Sequence, residues 1–179
     1  MCLPQFSLRR MNLALTIVPF YNVQAPVGRG AGGATTDVML VQYMLFHVCV
    51  QSSPHFGRNA GVFGPTSPPG IGPRALFPFT GIYTPELDEW ILTFQRSANS
   101  RGYGRLVEDG KISRAPVGWG KRSKHRDSKW YTLQALNYIM YQKCEQPYTR
   151  LPDLSDIPAP LASDLKVVMT PEYEPDAVA

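Results

Sequence analysis

Glycine and proline cut this chain into three stretches that can be helical. Seven of the twelve residues from Gly61 to Gly72 are Gly or Pro, and prolines recur at 147, 152, 158, 160, 171 and 175. A proline inside a helix removes a backbone donor and clashes with the carbonyl one turn earlier, so no continuous helix crosses either region. Helix is left to 36–50, to a segment beginning at Pro85, and to about 127–143. With 179 residues, 44% of them hydrophobic, the chain can build one ordinary core but not two. Its 15 glycines and 17 prolines imply long irregular connections. Charged residues make only 18%, against roughly 25% in an ordinary soluble domain, which points to surface covered by partners.

Each helical stretch has its own signature. In the first, Thr35 or Thr36 caps the start and Asp37 lies in the first turn, facing the positive end of the helix dipole. Val38, Val41, Leu45 and Val48 recur at helical spacing, while Met39, Leu40, Met44 and Phe46 make the other sides apolar, so this helix is expected to be buried on most sides. His47 then reads as a hydrogen-bonded core histidine. The second stretch begins most sharply, with Thr84 as cap, Pro85 at the first helical position and Glu86, Asp88 and Glu89 just inside. Leu87, Trp90, Ile91, Phe94 and Ala98 form its stripe. The third is expected from Asp127 or Ser128 to Lys143, with Trp130, Leu133, Leu136, Asn137 and Met140 inward. Between the last two, Glu108-Asp109-Gly110 reads as a tight turn that needs a positive φ at Gly110.

The flanks differ in charge. Net charge is +4, yet 111–129 holds seven basic residues and one acid, and 151–179 holds six acids and one lysine. A basic loop therefore precedes an acidic, proline-rich tail, which is expected to be extended and ordered only when bound. At the other end, Leu13–Tyr21 reads as a strand or docked arm, followed by the glycine-rich Val27–Gly33. That loop lacks the Lys-Ser/Thr of a phosphate cradle and reads as a flexible linker. Arg9 and Arg10 ahead of a short apolar stretch outline a leader, but Pro19 interrupts it and no small-residue cleavage site follows. No apolar run approaches the roughly 18 residues of a membrane span. Cys2, Cys49 and Cys144 have no metal or disulfide spacing, so reduced thiols are expected.

The order of these features resembles the small three-helix peptidoglycan-binding-like domain of cell-wall hydrolases and some phage proteins. The resemblance rests on Asp37-Val38 with Val41-Gln42 and Leu45; on Gly81-Ile82-Tyr83-Thr84-Pro85; on Trp90, Ile91, Phe94 and Gln95; and on Leu106, Asp109, Gly110 and Ile112. It implies a mainly α fold, a compact three-helix core in 34–146 with long Gly/Pro-rich loops. An extended arm, 1–33, and an extended tail, 147–179, lie outside it. The loop after the first helix is about twenty residues longer than the resemblance implies, and a basic insertion follows Asp109-Gly110.

Under the glycan reading that the resemblance implies, Tyr83, Arg101, Tyr103 and Arg105 are the candidate ligand contacts, as aromatic faces for sugars and cations for peptide carboxylates. Lys121, Arg122, Lys124 and Arg126 are candidate contacts to a polyanion or a neighbouring subunit. Trp119 and Trp130 alone flank that loop as stacking residues, which makes nucleic acid a poor fit. No convergent catalytic group, metal spacing or cofactor motif is found. His47, His55 and His125 form no ligand set, and Glu86, Asp88 and Glu89 are explained by the helix start. The expectation is a non-catalytic structural protein of a phage virion or similar multi-subunit assembly, in a virion or intracellular setting. Its arm and tail would wrap other protein subunits, since ordering such segments costs roughly 1 to 2 kcal/mol per residue that a small core does not offset. The alternative is a cell-wall-associated module that places a partner enzyme or particle on peptidoglycan.

Overall fold

The computed structural model describes residues 4–11, 14–50, 66–103, 105–115, 129–143 and 145–168. The fold is mainly helical with little sheet. Along the described residues run β1 (Pro4–Met11), β2 (Ala14–Tyr21), β3 (Val27–Gly28), α1 (Thr35–Leu45), α2 (Pro85–Ser100), β4 (Lys111–Ile112), α3 (Thr132–Lys143), α4 (Glu145–Thr149) and α5 (Ala159–Val168).

Helix α1 is the central rod. Every residue from Asp37 to Leu45 is buried, because α2, α3 and α5 all pack around it. It continues as a π-helical turn, Phe46–Val50. Its N-cap is Ala34, not a threonine, and makes no side-chain cap bond. Asp37 has other work: its carboxylate accepts from the backbone of Gln24 (3.0 Å) and Ala25 (2.9 Å), tying the incoming chain to the helix. Helix α2 starts where Thr84-Pro85 predicts, and its stripe Leu87, Trp90, Ile91, Phe94 and Ala98 is buried.

Two buried glutamines hold the glycine turns that follow their helices. Gln42 on α1 accepts from the Gly81 amide at 3.0 Å and donates to the carbonyls of Ala75 and Ile82. Gln95 on α2 accepts from the amides of Asp109 (3.1 Å) and Gly110 (2.9 Å), while its amino group reaches Asp109 Oδ1, the Lys111 carbonyl and Thr132 Oγ1, each at 3.0 Å. Both glycines have positive φ, 71° and 70°. At Gly81 the requirement is doubled, since a Cβ would lie 2.6 Å from the Thr35 carbonyl oxygen.

Three expectations are corrected. The Val27–Gly33 segment is no slack linker: β3 pairs antiparallel with β4, and Arg29 donates to the Gly110 carbonyl at 3.1 Å. Glycine is required at 28, where a Cβ would lie 2.4 Å from that same oxygen. The N-terminal arm is not a single extended piece but a hairpin, β1 antiparallel to β2, with Leu8 opposite Ile17 and Phe6 opposite Pro19.

The tail is the third correction. Through residue 168 it is not extended; it folds back as α4, a 3-10 turn at Leu151–Asp153 and α5. Tyr148, Leu151, Ile157, Leu161 and Leu165 are buried in the same core as α1. The prolines permit this because each falls in the opening turn of a short element, where a missing donor leaves no helical bond unmade: Pro147 in α4, Pro152 in the 3-10 turn, Pro158 and Pro160 at the start of α5.

Candidate functional site

The four ligand candidates fall into two places. Tyr83 stands half-buried just before α2, its hydroxyl donating to Asp88 Oδ2 at 2.8 Å. Burial raises the Asp88 carboxyl above its ordinary range, and the Tyr83 bond opposes that rise. The same bond raises the Tyr83 hydroxyl. Arg29, on the β3 turn, pairs with Glu89 at 3.2 Å beside them. Arg101, Tyr103 and Arg105 follow the other end of α2. The sixteen residues of that helix, at 1.5 Å each, separate the groups by roughly 24 Å, so Tyr83 cannot share one small ligand with the other three.

At the second place the chain builds a cationic aromatic face. The Tyr103 and Tyr138 ring centroids are 6.3 Å apart with planes at 58°, and Trp130 meets Tyr138 edge-on at 5.7 Å and 86°. All three rings are half-buried. A parallel bridge joins Arg105 to Lys129, and the Trp130 amide donates to the Arg105 carbonyl at 3.4 Å, which sets the backbones of these two exposed residues side by side next to Trp130. Arg101 donates to Thr66 Oγ1 at 3.5 Å. Burial raises the Tyr103 hydroxyl, and the Arg101 charge acts in the opposite sense. Glu108 is engaged by Arg96 (3.5 Å) and Asn99 (2.9 Å).

Sequence reasoning found Arg101, Tyr103 and Arg105 but assigned Trp130 to the inner face of the third helix and passed over Tyr138 and Lys129. Trp130 instead precedes α3, which begins at Thr132, while Leu133, Leu136, Asn137 and Met140 are buried as expected. The overlooked signal is the tyrosine pattern: Tyr131, Tyr138 and Tyr141 are half-buried around the apolar stripe of that helix. Lys121, Arg122, Lys124 and Arg126 lie outside the described residues.

Elsewhere, His47 is buried against Tyr43, whose ring centroid is 4.2 Å away, and its Nε2 lies 3.6 Å from Asp156 Oδ2. Cys49 is buried. Among the described residues no three His, Cys, Asp or Glu side chains gather as a metal site, and no helix is long and apolar enough to cross a membrane. Comparison with protein-family models, with curated proteins and with solved structures gives no match.

Proposed function

We propose that this protein is a non-catalytic interaction subunit of a multi-subunit assembly such as a phage virion, with a peptidoglycan-binding-like three-helix core as its body and the N-terminal hairpin as its contact element. The observation that carries the reading is the hairpin. Among the described residues its two strands pair only with each other, in a sheet of their own, and its base at Pro19, Phe20 and Tyr21 is buried in the core. A lone two-stranded hairpin is marginal in water, and among the described residues no further strand pairs with either edge, which suits it to take one from a neighbour. Sedimentation velocity over a hundredfold concentration range tests this. The full chain should associate and a chain lacking residues 1–18 should not; a full chain that stays monomeric throughout contradicts the reading.

The cell-wall alternative is supported by the two glutamine-held glycine turns, which occupy the positions that carry the family resemblance. Saturable retention on purified sacculi would favour it over assembly.

A further inference from the structure

We infer that the face formed by Arg101, Tyr103, Arg105, Lys129, Trp130 and Tyr138 is a binding site for a carboxylated polysaccharide, a chain of pyranose rings bearing uronate groups. The inference stands apart from assembly through the hairpin, and it goes beyond the cell-wall reading because it requires no peptide on the glycan.

The argument starts from what the face offers. Three half-buried rings present apolar surface whose positions are fixed by packing on the core, so little side-chain freedom is lost when a ligand settles on them. Exposed basic residues adjoin the rings in the chain, Arg101 and Arg105 on either side of Tyr103 and Lys129 beside Trp130, and an arginine's planar fork matches a carboxylate in two hydrogen bonds. The Tyr103 hydroxyl, a phenol that is protonated at neutral pH and is raised further by burial, is a donor near the Arg101 charge. Apolar faces, hydroxyl donors and carboxylate-matching cations together complement a uronate sugar.

Ring geometry separates this ligand from single-stranded nucleic acid. Successive bases need aromatic faces open for stacking, whereas here the planes meet at 58° and 86°, so no two rings form one platform. Pyranose rings linked at an angle to one another accept such tilted walls. Simple polyanion attraction would need the charges without the rings.

Titration of the full chain with polygalacturonate at physiological salt tests the site, with neutral dextran, polyglutamate and oligothymidylate as comparison ligands. Saturable binding of polygalacturonate is expected, with dextran unbound and polyglutamate weaker. Arg105→Gln combined with Lys129→Gln should weaken it at least about tenfold, and these exposed positions leave the core intact, as circular dichroism would verify. Tyr103→Ala should weaken it too, and Tyr103→Phe, which keeps the ring and loses only the hydroxyl bond, should weaken it less. Absence of saturable binding, equal affinity for polyglutamate, tighter binding of oligothymidylate, or indifference to the Arg105/Lys129 change would each overturn the inference. Sacculus retention is a separate readout: its loss with polygalacturonate binding intact would remove the cell-wall reading alone.

Discussion

The two ends of this chain look alike as sequence and differ as structure. Both are irregular, proline-bearing segments outside the central helices. The C-terminal segment nevertheless belongs to the body of the fold. Leu161 and Leu165 of α5 are buried, Asp156 accepts from the Tyr43 hydroxyl at 3.1 Å, and Tyr148 meets Tyr21 edge-on at 5.2 Å. The contacts described between the N-terminal hairpin and the body lie at its root. There Asn137 of α3 stands in for a neighbouring strand, accepting from the Tyr21 amide at 2.8 Å and donating to the Tyr21 carbonyl at 2.9 Å. Tyr148 completes the anchor by donating to the Pro19 carbonyl at 2.8 Å and to Asn137 Oδ1. The folded tail therefore grips the base of the arm at Pro19 and Tyr21.

The comparison can be broken at several strengths, each read by urea unfolding. The largest loss is expected from Leu161→Ala, about 3 kcal/mol, because the side chain is fully buried between α5 and the core. If it costs almost nothing, the tail is not part of the body. Asn137→Ala should follow at about 2.5 kcal/mol, since it leaves both backbone groups of Tyr21 buried without partners. Tyr148→Phe removes one hydroxyl from the same anchor and should cost about 1.5 kcal/mol. Smallest of all, removal of residues 1–18 should change the stability of the isolated chain by under about 0.5 kcal/mol, because most of the pairing removed, Ser7–Met11 with Ala14–Val18, lies within the removed segment. A loss as large as that of Leu161→Ala would make the arm structural and erase the distinction.

The elements that were legible are those with local chemistry. Thr84-Pro85 marks the start of α2, the all-round apolar face of 38–45 marks a central helix, and the Asp109-Gly110 turn shows its positive φ. The tail was misread because the same prolines that forbid a long helix are compatible with the first turns of short ones, and nothing local says which applies. What decides is long-range: whether Leu161 and Leu165 find α1. The hairpin was half legible, because β2 carries β-branched residues while β1, with Arg9 and Arg10 side by side, reads as a strand only once its partner is known. For the candidate site, three of the four residues converge because they share one end of α2. Tyr83 separates because it lies beside the other glycine turn, and the length of a helix is invisible to an argument based on nearness to turns.

Hydrogen exchange of the dilute full chain, with its mass recorded in the same solution, tests the central claim that the arm is the contact element and the tail is part of the body. The account predicts slow exchange across α4 and α5 in the monomer and fast exchange in β1, slowing only as the chain associates. Fast exchange in α5, or a β1 already protected in a dilute monomer, would contradict it.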